Sequence, residues 1–170
     1  MSRILTIEKF MRQRYRLPQW ALFFEVPDSI SVGSFRRADA IAVALDSRLR
    51  GKVLGFEFKV NRQDWLNELK QPEKAACFAV QCNEFYIVAP CDVVYADEIP
   101  ENYGWLDPLA GRHLKKAAVS KESCLNVDLM CILLRRAALT CEKYDVIRRV
   151  ISYNGSDTRN FETLENEFHD

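Results

Sequence analysis

Neither sign of charge is in excess in this chain. Its 170 residues carry 24 Lys and Arg against 24 Asp and Glu, a formal net charge of +0 with histidine neutral. A bulk electrostatic pull toward nucleic acid is thereby excluded, so such a partner would need locally gathered basic residues. Long apolar runs are also missing: none approaches the roughly 18 consecutive apolar residues of a membrane span. Arg3, Glu8 and Lys9 interrupt any signal-peptide-like apolar segment near the start. The expectation is a cytoplasmic protein with no membrane partner. Histidine is scarce, with His113 and His169 alone, and none of Cys77, Cys82, Cys91, Cys124, Cys131 and Cys141 forms a Cys-x-x-Cys pair. That spacing gives no zinc site. Most of these cysteines have apolar neighbours and read as reduced thiols that pack like small hydrophobes. Internal repeats and low-complexity segments are absent.

What is present is ordinary for a globular chain, 48% hydrophobic and 28% charged, and long enough to bury a core. Residues 3–16 place Ile4, Ile7, Phe10 and Met11 at helical spacing, and Pro18 ends the helix they predict. Residues 20–26 read as a strand, followed by a loop that opens at Pro27, Asp28 and Ser29. Two further strands, 38–45 and 52–60, flank a turn. A helix then starts at Asn61 or Asp64, with Trp65, Leu66, Leu69, Ala76 and Val80 as its apolar stripe, and Pro72 kinks or divides it. Residues 84–89 form a strand that Pro90 closes, and 91–113 read as irregular around a short apolar run at Trp105 and Leu106. A second long helix is predicted over 125–150, its core face drawn from Leu129, Ile132, Leu133, Leu139, Val146 and Ile147. This order predicts an α/β fold: a mixed central sheet flanked by helices, with an extra C-terminal helix. One domain is expected over 1–150, with a loosely ordered acidic tail over 151–170.

The chemistry is concentrated in two stretches, Arg36-Arg37-Ala38-Asp39 and Gly55-Phe56-Glu57-Phe58-Lys59-Val60. Strand side chains alternate faces, so Glu57 and Lys59 project from one side and Phe56, Phe58 and Val60 from the other. If the two stretches pair as a hairpin, Asp39 reaches the side of Glu57. Two carboxylates and an ammonium then meet at the edge of an apolar sheet. Burying them unpartnered is costly, and a hard divalent cation with oxygen ligands would compensate the carboxylates. The plainer alternative is a surface ion pair of Glu57 and Lys59, with Asp39 a turn residue. Basic groups recur as Arg12, Arg14 and Arg16; Arg36 and Arg37; Arg112, Lys115 and Lys116; Arg135 and Arg136; Arg148 and Arg149. Each reads as a solvated face unless the fold gathers it beside Asp39 and Glu57.

Together these residues resemble the PD-(D/E)XK nuclease superfamily, and within it the MmcB-like DNA-repair group. Asp39 and Glu57-Phe58-Lys59 carry the superfamily pattern. Glu25-Val26, Asp64-Trp65, Lys74, Cys82-Asn83-Glu84-Phe85-Tyr86, the segment Pro100-Glu101-Asn102-Tyr103-Gly104-Trp105-Leu106 and the paired Arg135 and Arg136 are similar to the narrower group, over roughly residues 20–138. Asn83, Ala75 and Phe78 stand where that group has aspartate, tryptophan and tyrosine. The resemblance implies a restriction-endonuclease-like core and a metal-dependent DNA nuclease of repair, recombination or phage DNA metabolism. It implies Mg²⁺ or Mn²⁺ held by Asp39 and Glu57 with the Phe58 backbone carbonyl. Lys59 would orient the attacking water, stabilise the transition state or act partly as a base. Glu25 is the third catalytic carboxylate it suggests, with Glu8 on the first helix as competitor. Arg36, Arg37 and Lys74 would contact the nucleic-acid backbone.

Several alternatives stay open at this level. Trp65 is a core residue or a base-stacking platform. The fold could serve as a catalytically silent nucleic-acid-binding module or a protein-interaction scaffold. DNA or RNA, endo- or exonuclease action, and monomer or homodimer are equally open.

Overall fold

A computed structural model describes residues 2–29, 36–49, 51–71, 73–120 and 126–153, with the side chains of 73–75 and 142–153 left aside. Helix α1 (Arg3–Arg14) leads into strands β1 (Trp20–Pro27), β2 (Arg37–Ala44) and β3 (Val53–Phe58). Helices α2 (Arg62–Leu69) and α3 (Glu73–Ala79) follow, then β4 (Glu84–Val88) and a 3₁₀ turn (Ala96–Glu98). Strands β5 (Gly104–Asp107) and β6 (Arg112–Lys115) precede α4 (Val127–Tyr153). The six strands form one sheet in the order β1-β2-β3-β4-β5-β6. β3, β4 and β5 run parallel, and the remaining neighbours are antiparallel, so the sheet is mixed. The chain is therefore α/β, with helices flanking a six-stranded sheet.

Each face of the sheet is buried by its own helices. α1 presents Ile7 and Met11, spaced one turn apart, and with Tyr15 they cover Ala40, Ala42, Leu54, Phe56, Phe58, Tyr86 and Leu106. On the other face Ile41, Val53, Phe85, Ile87 and Trp105 pack with Trp65 of α2, Phe78 of α3, and Leu129, Ile132 and Leu133 of α4. β3 passes so close to this second layer that only glycine fits at Gly55: a Cβ there would come within 2.6 Å of the Cys82 sulfur and 2.7 Å of the Phe85 ring. Compactness divides the chain into Met1–Leu133, which holds the sheet, and Leu134–Asp170, described as the helical residues up to Tyr153. Beyond Tyr153, the tail expected over 151–170 lies outside the described residues.

The segment 91–113, expected to be irregular, instead supplies β5 and part of β6. Each is four residues long, too short for a period-2 pattern to register. All four residues of β5 are buried, Asp107 included, so the strand shows no alternation of buried and exposed positions. Val80 and Leu139, expected on apolar faces, are exposed, as are Cys91, Cys131 and Cys141. Of the described cysteines only Cys82 is fully buried, and no disulfide joins any of them. Cys124 lies outside the described residues. Among the described residues no helix is long and apolar enough to cross a membrane.

Candidate functional site

Strand register sets the site. Ala40 pairs with Phe56 across β2 and β3, so one step further Asp39 stands opposite Glu57. Across β1 and β2, Phe24 pairs with Ala40 and Val26 with Ala38, which brackets Glu25 opposite Asp39. Glu25, Asp39 and Glu57 thus form a row across three strands. Counting from Ala40 and Phe56, Asp39 and Glu57 face the layer covered by α2 and α3, whereas alternation is interrupted at Glu25, with Phe24 packing in one layer and Val26 in the other. Lys59 follows two residues after Glu57, and its N–H extends the ladder to the Val88 carbonyl at 3.0 Å.

The side chains converge. The Lys59 Nζ donates to Glu57 Oε1 at 2.7 Å and to Glu68 Oε2 at 3.3 Å. Asp39 Oδ2 accepts the Phe58 N–H at 2.6 Å. Lys59 is 7% exposed, which is rare for a lysine. Glu25 is exposed and adopts φ of 53°, a left-handed conformation that a side-chain-bearing residue seldom takes. Such strain, on the order of 1–3 kcal/mol, collects at functional sites.

Electrostatics follow from this crowding. Burial pushes the Asp39 carboxyl up to about 6; the Phe58 N–H and Lys59 oppose the shift, and Glu25 and Glu68 add to it. Burial and the neighbouring Asp39 push Glu57 up to about 7 against the pull of Lys59. Burial works against the charge on Lys59, but Glu57 and Glu68 outweigh it and hold its pKa above the ordinary lysine value. Glu57 and Glu68 pair with the ammonium directly, Asp39 is close by and Glu25 lies near Asp39, so negative charge is in excess.

That donor set, all oxygen with surplus negative charge, fits a hard divalent cation. Among the described residues no three His, Cys, Asp or Glu side chains form a ready-made metal cage. Mg²⁺ commonly binds through one or two carboxylates and completes its shell with water and substrate phosphate. Asp39 and Glu57 are the two that fit. Phe58 contributes its N–H to Asp39, while its ring lies on the opposite face near Phe24.

Other expected residues fall in different places. Arg36 and Arg37 are exposed, three and two residues ahead of Asp39. Lys74 lies on α3, with its side chain outside the described residues. Glu8 belongs to α1, which packs on the far face, so the carboxylate brought toward Asp39 is Glu25. Trp65 is core at 1% exposure, with its indole N–H donating to Glu98 Oε2 at 2.9 Å. A base-stacking role for it is therefore overturned. Lys59, for which a partial base role is one expectation, has its ammonium paired with two carboxylates. Glu68, outside the sequence motif, is a further carboxylate at the site. Its signal was available: it follows buried Trp65 by three positions, which puts it on the same inward face of α2.

An open cleft of about 400 Å³ lies elsewhere, at the N-terminal end of β4, lined by Val80, Asn83, Phe85, Asn102, Tyr103 and Val119 among others. It holds no comparable convergence of carboxylates on a lysine.

No protein-family model matches the chain, and no curated protein does. A solved structure of a protein of unknown function from Silicibacter pomeroyi is similar over 88% of both chains, at 14% sequence identity and a TM-score of 0.55. At that identity the likeness is one of fold alone.

Proposed function

We propose that the chain is a divalent-metal-dependent nuclease that hydrolyses phosphodiester bonds of DNA on a restriction-endonuclease-like core of the PD-(D/E)XK kind. The observation that carries this reading is the juxtaposition of Asp39, Glu57 and a buried Lys59 on one face of the β2–β3 hairpin, with Glu25 alongside. Asp39 and Glu57 would hold Mg²⁺ or Mn²⁺. Such an ion, when bound, would supply an activated water and neutralise charge developing on the phosphate. The chain's own part is positional. Phe58 fixes the Asp39 carboxylate through its N–H. Glu57 and Glu68 keep Lys59 protonated, so it acts as a fixed positive charge toward the scissile phosphate rather than as a base. Arg36 and Arg37, exposed at the start of β2, would hold flanking phosphates.

The test is incubation of the purified protein with labelled single-stranded, duplex and branched DNA, and with RNA, in EDTA, Mg²⁺ or Mn²⁺. Metal-dependent cleavage by the parent, lost in Asp39→Asn, supports the reading. Binding without cleavage under every metal condition would replace it with a silent nucleic-acid-binding module. Neither binding nor cleavage would remove both.

A further inference from the structure

Lys59 is the one buried lysine among the described residues, and two carboxylates from different elements share its ammonium: Glu57 of β3 at 2.7 Å and Glu68 of α2 at 3.3 Å. Both partners are themselves largely covered, with 18% and 16% of their side chains exposed. A single carboxylate would suffice to pair a buried lysine. The second one adds negative charge beside Asp39 and Glu57, where it raises both and so costs stability. Its placement is nevertheless rigid. Asn61 caps α2 by accepting the Asp64 N–H at 2.9 Å. Arg62 and Trp65 both grip Glu98, which anchors the helix to the segment after β4. Glu68, one turn beyond Trp65, is thereby held against Lys59.

We propose that Glu68 is a positioning residue for Lys59. It retains the ammonium beside the cluster when a divalent cation takes over the Glu57 carboxylate, and so keeps the positive charge where a phosphate would develop negative charge. This rests on the nuclease reading above. Lys59 and the incoming cation compete for Glu57. With Glu68 ionised, Lys59 surrenders one of two partners and stays in place. With Glu68 neutralised, the ammonium pairs with Glu57 alone, and the cation must expel it from the site.

The test is Mn²⁺ binding followed by electron paramagnetic resonance on the parent, Lys59→Met, Glu68→Gln and the double variant. Single-turnover cleavage of a labelled oligonucleotide by the parent, Glu68→Gln and Glu68→Asp accompanies it. Removing Lys59 should tighten Mn²⁺ binding in both backgrounds, and by at least about three-fold more when Glu68 is already neutral, a coupling expected of residues in contact. Glu68→Gln should also lower the cleavage rate at saturating Mn²⁺ by about ten-fold or more without changing the KM for DNA, and Glu68→Asp should recover part of it. Equal tightening in the two backgrounds, or parent-like cleavage by Glu68→Gln, would overturn the role of Glu68 and leave the nuclease reading standing. A parent that neither binds Mn²⁺ nor cleaves would overturn both. The cleavage series does not need the Lys59 variant, so it decides the question even if Lys59→Met fails to fold.

Discussion

The substitution Glu57→Gln should stabilise the metal-free protein and, on the nuclease proposal, abolish cleavage. Glutamine keeps the oxygen that accepts from Lys59 but removes one buried negative charge. Glu57 has its carboxyl raised from 4.5 to about 7, so the native state binds its proton more tightly than the unfolded chain does. Wherever the native state holds more protons, stability falls as pH rises. The parent should therefore be fully relieved of this repulsion below about pH 4.5, lose stability between pH 4.5 and 7, and stay low above. Asp39, raised to about 6, adds a penalty over an overlapping window. A shift of that size on Glu57 corresponds to roughly 3 kcal/mol at 1.36 kcal/mol per pH unit. That figure already includes the opposing attraction to Lys59; discounted for relaxation and solvent screening at a partly open site, it leaves a gain of about 1–2 kcal/mol. For a chain of this length that is on the order of 2–8 °C in melting temperature. Thermal melts in EDTA from pH 4 to pH 8.5 read the effect directly: the two curves should meet in acid and diverge toward pH 8, the variant melting higher. Added Mn²⁺ should raise the parent's melting temperature and leave the variant's nearly unchanged, because only a ligand of the native state stabilises it. A variant that melts below the parent at pH 8 in EDTA would refute the charge-excess argument.

Gly55→Ala should cost about 1–3 kcal/mol by overpacking, since its Cβ would meet Cys82 and Phe85; urea unfolding at unchanged m-value measures it. Glu98→Gln should destabilise the protein at neutral pH. The hydrogen bond from Arg62 holds the Glu98 carboxyl down to about 2, so the stabilisation is present above the unfolded pKa of 4.5 and disappears as pH falls from there toward 2. Melts of the parent and Glu98→Gln at pH 7 and pH 2.5 should differ at the first pH and converge at the second. Arg36→Ala and Arg37→Ala should each weaken DNA binding without altering Mn²⁺ affinity, and each should reduce the slope of log affinity against log salt by roughly one unit, read by fluorescence anisotropy across a salt series.

The site was more legible in the sequence than the sheet that carries it. Glu57 and Lys59 are two residues apart on a strand, so their common face needs only the alternation of side chains. Asp39 joins them because the β2–β3 turn is short enough to make a hairpin, and the pairing of Ala40 with Phe56 has the required parity. Local rules carry no such information for β5 and β6, whose strand character comes from neighbours distant in sequence. Trp105 pairs with Lys115, and its ring nitrogen donates to the Ala89 carbonyl at 2.9 Å. Glu25 is an intermediate case. Its place at the end of a strand could be read, but its left-handed backbone could not, because nothing in Phe-Glu-Val favours φ of 53°. Glu68 was within reach of helical spacing, yet its meaning depends on how α2 docks, which Glu98 decides from 30 residues further along the chain (98 minus 68).

These points bear on how like charges are kept together at all. Carboxylates in excess over a single ammonium would separate if their carriers could move. Here each carrier is fastened by apolar or paired groups that do not belong to the cluster. β3 is clamped between Tyr15 and Tyr86 through Phe56 on one face and against Cys82 and Phe85 at Gly55 on the other. α2 is held through buried Trp65 and the Arg62–Glu98 pair. Asp39 is tied to the backbone of the strand that bears Glu57. The hydrophobic layers therefore supply the free energy that holds an electrostatically unfavourable arrangement in place. A scaffold that did no chemistry would gain stability by replacing Glu68 or Glu57 with a neutral residue. The rigid anchoring of both against Lys59 supports a site built to receive an additional positive charge.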